Sequence, residues 1–282
     1  MKTSDEIKAM VKERYALIAG QDKITNQSSC CGEGGCGSSV PDFTVFSDDY
    51  QALNGYVPEA DLGLGCGLPT EYALIKPGDT VVDLGSGAGN DCFVARAITG
   101  ETGKVIGIDF TEVMIEKARA NAQKMGYSNV TFRQGDIEKM PLVSGIADVV
   151  ISNCVLNLVP DKVKAFSEIY RILKPSGHFS VSDVVLAGEL PPDLLEAATL
   201  YAGCVSGALQ KSDYLDIIEN VGFKNIKIQK EKAITVPDEI LLNYLTSDQL
   251  KSFRESGTGI FSVTVYADKG EESSACGCGC SC

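Results

Sequence analysis

A chain of 282 residues with a formal net charge of −13, and with 44% hydrophobic, 22% charged and 7% aromatic residues, has the composition of one folded domain plus an appendage, outside the disordered and collagen-like classes. So acidic a surface repels phosphate backbones and no basic patch relieves it, which argues against nucleic acid as a partner. No run reaches the roughly 18 consecutive apolar residues of a membrane-spanning helix, so no membrane partner is expected.

The opening residues, MKTSDEIKAMVKERY, carry charges too early for the apolar stretch of a secretory signal, and the expected location is cytoplasmic. In a reducing compartment, eleven cysteines imply metal, metalloid or redox chemistry rather than a disulfide framework. Thr3 and Glu6 have capping-box spacing, and Ile7, Val11, Tyr15 and Ile18 recur at helical intervals, which predicts a helix over 3–19 acting as a lid or packing element. The following SSCCGEGGCGSS (28–39) is too poor in apolar residues to build core and reads as a loop bearing Cys30, Cys31 and Cys36.

From Thr80 onward, short β-rich runs alternate with helical periodicity, the mark of βαβ units on a parallel sheet. Strands are expected at 80–84, 104–109, 130–134, 148–153 and 178–183, and helices at 91–99, 112–125 and 161–173. Thr111 is expected to cap the second of these helices and Gly126 to stand at its left-handed C′ position. The result is a doubly wound α/β core. Beyond Asp183, one helical pattern opens at Pro191 and Pro192 and another at Ser212, while 224–230 and 259–267 alternate like antiparallel edge strands. The terminal CGCGCSC is low in complexity; Cys276, Cys278, Cys280 and Cys282 are close enough in sequence to clasp a soft ion or to form an inert tail.

The first strand runs into TVVDLGSGAGND, which spaces Asp83, Gly85, Gly87 and Gly89 as D-x-G-x-G-x-G directly before a helix. Asp109 follows Gly89 by 20 residues, at the end of the second strand, where an acidic side chain hydrogen-bonds a ribose diol. The last glycine spacing is one residue shorter than in the dinucleotide fingerprint, and Asp91 opens the helix, so a cationic amino-acid end suits the turn better than phosphate. The pattern resembles motif I of the class I methyltransferases that bind S-adenosyl-L-methionine, and GIDFTEVMIEKA (107–118) and GDIEKMPL (135–142) are similar to their following motifs. That resemblance implies a Rossmann-like, mostly parallel sheet of seven strands. It assigns the donor to Asp83, Gly85, Ser86, Gly87 and Gly89, its ribose to Asp109, its adenine to Met114, Asp136 and Ile137, and a further contact to Asn153.

The fourth strand, DVVISNCVLNLVPD, delivers Asn153 and Cys154 to the carboxyl edge of the sheet, so Cys154 is expected to face the donor methyl. An oxygen or nitrogen acceptor would need a general base there. The single histidine, His178, begins a strand and reads as structural, which points to an acceptor with a lone pair already free. NCVLNLVPDK, YAGCVSGAL and LGLGCGLP are similar to the three cysteine motifs of arsenite S-adenosylmethionine methyltransferases. The resemblance implies that Cys154 and Cys204 hold arsenic, with Cys66 as third thiol or redox partner. It also implies a relay thiol near the N-terminus, Cys31 being favoured over Cys30 and Cys36, with thioredoxin or glutathione as reductant and arsenite or an arsenic–thiol conjugate as substrate. Thiolates are soft ligands and trivalent arsenic is a thiophilic centre.

On this reading residues 1–67 form the lid helix and Cys-rich loop, 68–185 the donor-binding core, 186–270 an arsenic-binding subdomain with the final strands, and 271–282 the tail. Cys92, in the first turn of a helix, reads as a small buried hydrophobe. Two rivals stand beside it: a methyltransferase of an organic molecule such as a quinone precursor, its cysteines incidental, and a thiol-based metal-binding protein without turnover. The wide separation of Cys66, Cys154 and Cys204 speaks against a compact structural zinc site. No coiled-coil heptads occur, and a monomer is expected.

Overall fold

The computed structural model describes residues 3–20, 49–190, 205, 207–236, 238–243 and 245–271. Seven strands share one sheet: β1 (Thr80–Leu84), β2 (Lys104–Asp109), β3 (Val130–Gln134), β4 (Ala147–Asn153), β5 (Leu173–Ala187), β6 (Lys224–Ile234) and β7 (Gly259–Asp268), in the order β3-β2-β1-β4-β5-β7-β6. The first five pair in parallel, and β7 runs antiparallel to both β5 and β6. This is the class I methyltransferase arrangement that the motifs imply, and its strand order reverses between β1 and β4, where α/β sheets place ligands.

Helices cover both faces, which is why the central strands read as continuous apolar runs. Neighbouring residues of β1 serve opposite cores. Val82 and Leu84 pack toward α5 (Lys162–Ile172) and α6 (Lys211–Val221), meeting Phe166, Ile169 and Tyr214. Val81 packs toward α3 (Asn90–Thr99) and α4 (Glu112–Lys124), meeting Phe93, Ile115 and Ala118. The first helix, α1 (Ser4–Ala19), starts at the Thr3–Glu6 capping box and lies on α4. A four-residue α2 (Pro69–Tyr72) precedes β1, and α7 (Asp238–Leu241) and α8 (Ser247–Glu255) fill the β6–β7 connection.

Several local expectations need correcting. β7 is no edge strand: inserted between β5 and β6, it is buried along Val263, Thr264 and Val265. β6 forms this edge of the sheet, with β3 at the other, and its mostly exposed lysine-rich face blunts edge-to-edge pairing. Strand β5 continues well past Asp183 to Ala187 because β7 pairs with it along that whole length. Thr111 sits at the α4 N-cap position but its side chain makes no cap bond, whereas Gly126 has the expected left-handed φ of +70°. The helix expected from Ser212 begins one residue earlier, after Gln210, without a side-chain cap. The helical pattern at Pro191 and Pro192 lies outside the described residues.

Candidate functional site

The turn from β1 into α3 uses its glycines for three separate reasons. Gly85 has φ +66°, and a Cβ there would come within 2.4 Å of the Val155 side chain, so the thiol-bearing turn packs directly on it. Gly87 has φ +50° and faces open space within 4 Å, leaving its backbone bare to a ligand. Gly89 has φ +100°, and a Cβ there would lie 2.9 Å from both Phe93 and Phe132, so the start of α3 packs closely against β3 at this point. Asp109 ties the turn to the end of β2: one carboxylate oxygen accepts the Gly87 N–H (3.0 Å) and the other the Thr111 N–H (2.8 Å).

Above this turn opens a cleft of about 1130 Å³, its open mouth included. Asp83, Gly85, Ser86, Gly87, Asp109, Met114, Asp136, Ile137, Asn153 and Cys154 all line it. So do residues that the motifs did not single out: Lys8, Val11 and Tyr15 from α1, then Tyr50, Asp61 and Leu62. Lys8 Nζ reaches Asp136 (2.6 Å) and Glu138 (2.5 Å), pinning α1 over one end of the cleft. Only the Tyr15 side of α1 was readable as an apolar stripe. Tyr50 and Asp61 precede every motif, and nothing local marks them.

The chemistry of the walls asks for a polar ligand with a positive end. Ser86 Oγ and Asn90 Oδ1 are buried without a partner, and both residues line the cleft, leaving two groups to be met by a ligand. Among the described lining residues are five aspartates and one lysine. Burial pushes the Asp83 carboxyl well up, with the Asp91 charge adding to it, and raises Asp109 against its own backbone hydrogen bonds. Asp91 is pushed up to about 6, first by burial, with hydrogen bonds from Tyr50 and Asn153 opposing and the Asp61 charge adding. A cation placed among these carboxyls would relieve that cost. The donor expected from the motifs, a nucleoside with an ammonium and a sulfonium, fits these walls.

At the other end lie the thiols. Cys154 follows β4 with φ +59°, rare for a side-chain-bearing residue, and its N–H donates to the Ser182 carbonyl at 2.7 Å. That bond pulls the turn onto β5 and sets Cys154 in the wall of the cleft. Cys66 and Cys154 share one apolar cluster with Val184, Leu186, Val236 and Leu241, and both are buried. Both also sit close enough to the Tyr214 phenol to help raise its pKa, after burial and the Asp183 charge. Asp183 lies under this cluster, fully buried and pushed up to about 7 by burial while the Lys162 charge opposes.

Cys204, Cys31, Cys30, Cys36 and the four tail cysteines lie outside the described residues. Cys92 is fully buried with its thiol on Asp83 (3.2 Å), in keeping with a packing role. His178 places Nε2 2.6 Å from the Ala73 carbonyl and its ring against Tyr266, away from the cleft lining.

A family described as a methyltransferase domain matches residues 75–222. An arsenite methyltransferase of Halobacterium salinarum is 42% identical over 276 residues, 94% of this chain and 67% of that protein. One from Mus musculus is 40% identical over 186 residues, 63% of this chain and 49% of that protein. Among solved structures, an arsenic(III) S-adenosylmethionine methyltransferase from Chlamydomonas reinhardtii aligns with a TM-score of 0.60 at 36% identity, covering 72% of this chain and 66% of that one. The chain thus spans about two thirds of the archaeal and algal relatives and about half of the mouse protein.

Proposed function

Since the chain belongs to the arsenite methyltransferase family of S-adenosylmethionine-dependent enzymes, we propose that it methylates trivalent arsenic held by its own cysteine thiolates, giving methylated arsenicals. The observation that carries the reading is the position of Cys154, which lines the donor cleft and at the same time shares an apolar cluster with Cys66.

S-adenosylmethionine, when bound, supplies an electrophilic methyl on a sulfonium. Asp109 would hold its ribose, Asp136 and Ile137 the adenine edge with Met114 against the ring, and the carboxyl group of Asp91 would receive the cationic amino-acid end. The main-chain face of Gly87 and the unpartnered Ser86 Oγ and Asn90 Oδ1 are free to meet its polar atoms. Cys154 and Cys66, joined by Cys204, would replace the hydroxyls of arsenite one by one, each thiol proton leaving with a hydroxide as water. The arsenic lone pair then needs no deprotonation, in keeping with an acceptor end made of Val184, Leu186 and Leu241 around the two thiols. That shell excludes water and disfavours an ionised oxygen acceptor.

Methyl transfer to the arsenic lone pair leaves pentavalent arsenic, whose return to the trivalent state takes two electrons from a pair of thiolates and leaves them as a disulfide. Thioredoxin or glutathione is the reductant we assign to reopen it, with Cys31 as the relay thiol. The test is incubation with arsenite, S-adenosylmethionine and a dithiol, with arsenic species separated over time. Cys66→Ser and Cys154→Ser are each expected to abolish methylated product while binding of S-adenosylhomocysteine persists. Near-normal methylation by both variants would defeat the thiolate reading and favour an organic acceptor.

A further inference from the structure

Asn153 bridges the two halves of the cleft. Toward the donor end, its amide nitrogen lies 2.5 Å from the Tyr50 hydroxyl oxygen and 3.3 Å from Asp91 Oδ2, and the Tyr50 hydroxyl lies 2.9 and 3.0 Å from the two Asp91 carboxylate oxygens. Toward the thiol end, its amide oxygen accepts the N–H groups of Cys66 (3.0 Å) and Gly67 (3.3 Å), while the nitrogen also donates to the Gly67 carbonyl (2.8 Å). The amide's two donors and its acceptor are all used, and Tyr50 accepts from Asn153 while donating to Asp91. The loop is shaped around this side chain: a Cβ on Gly65 would come 2.6 Å from Asn153 Nδ2, and one on Gly67 would come 2.6 Å from Ser182 Oγ.

We propose that Tyr50 and Asn153 are positioning residues that transmit occupancy of the donor cleft at Asp91 to the backbone carrying Cys66, so that the thiol is held in register when the methyl donor is bound. The proposal rests on the donor-and-thiol reading above. A cationic donor end beside Asp91 gives the carboxylate a counter-charge and keeps it ionised, and an ionised acceptor makes the stronger hydrogen bond. Tyr50 and the Asn153 amide are drawn toward it, and the same amide grips Cys66 and Gly67. A state with the loop released forfeits these bonds, so the donor favours the gripped state, and the coupling acts equally in reverse.

The experiment is timed alkylation of the fully reduced protein, with peptide mass spectrometry reading Cys66 and, as an internal control for opening of the whole fold, Cys92. S-adenosylhomocysteine at saturation is expected to slow labelling of Cys66 roughly fivefold or more relative to Cys92. Tyr50→Phe, which loses the hydroxyl but keeps the ring, is expected to bind S-adenosylhomocysteine yet label Cys66 at the same rate with and without it. Asn153→Asp, which loses the amide donors, is expected to weaken S-adenosylhomocysteine binding and, once saturated with it, to label Cys66 at its ligand-free rate. A wild-type Cys66 rate indifferent to bound S-adenosylhomocysteine overturns the proposal, as does a donor effect retained in both variants. A parallel rise of Cys92 labelling in the variants assigns the change to the whole fold and overturns it too. No arsenical enters the assay, so its failure leaves the arsenite reading standing, and a chain that failed to methylate arsenite could still show the coupling.

Discussion

Replacing Gly85 by alanine sets a Cβ 2.4 Å from Val155 Cγ2 on backbone held at φ +66°. The left-handed conformation costs an alanine roughly 1–2 kcal/mol, and forcing extra volume into a packed contact costs about 1–3 kcal/mol more. The variant should therefore lose about 2–5 kcal/mol of stability. Val155→Ala removes the two nearest colliding atoms and leaves only its Cβ, 3.0 Å away, so most of the steric cost should be relieved in the double variant, a coupling of about 1–3 kcal/mol between the sites. Urea denaturation of the four donor-free proteins measures it. Because Val155 follows Cys154 directly, the collision can also be relieved by displacing the thiol turn, and methyl transfer at saturating donor should fall in Gly85→Ala and recover in the double variant. Costs that add to within about 0.5 kcal/mol would mean that Val155 is not what the glycine accommodates.

Three further outcomes follow from the same geometry. Asp109→Ala removes a charged acceptor, and at about 1.5–3 kcal/mol for such a bond the affinity for S-adenosylhomocysteine should drop roughly 10- to 150-fold in calorimetric titration; unchanged affinity would sink the ribose assignment. Asp91, at about 6 in the folded chain against an ordinary value of 3.8, keeps a proton that the unfolded chain has already released. Stability of the donor-free protein should then fall as pH rises from about 4 to about 6, and Asp91→Asn should flatten that slope in denaturation curves; a slope that the substitution does not change refutes it. Asp183, held at about 7 in the folded chain by burial against an ordinary value of 3.8, should likewise make the protein less stable as pH rises from about 4 to about 7, and Asp183→Asn should flatten that part of the slope on thermal denaturation. A slope that persists unchanged in Asp183→Asn would show that burial of this carboxyl is not its source.

Much of the fold was legible because its rules are short-ranged. The capping box at Thr3, the left-handed Gly126 and the alternating βα pattern all follow from residues a few positions apart. The errors came where distant chain intervened. Strand β7 reads as an edge from its own alternation, yet it enters between β5 and β6, a matter of pairing energy that no local window contains. Thr111 has the right residue type for a cap, but Asp109 takes the Thr111 N–H and no hydroxyl bond to the helix forms.

In the site, the motif spacing placed the donor loop and its acidic partner, since a glycine turn between a strand and a helix is a local backbone requirement. It could not distinguish Gly87, open toward the cleft, from Gly89, closed against two aromatic rings. Tyr50 and Asp61 carry no pattern at all; they reach the cleft only because the chain before β1 folds back over its mouth.

The primary structure by itself determined the kind of sheet, the class of methyl donor and a set of thiols suited to a soft acceptor, because residue types and nearby spacings dictate turns, periodicity and ligand chemistry. Only the tertiary structure decided that Cys66 and Cys154 share one apolar chamber and that Asn153 grips the Cys66 backbone from 87 positions away. Contacts at that separation depend on how the sheet stacks its strands and what the packing leaves room for, which no stretch of neighbouring residues encodes.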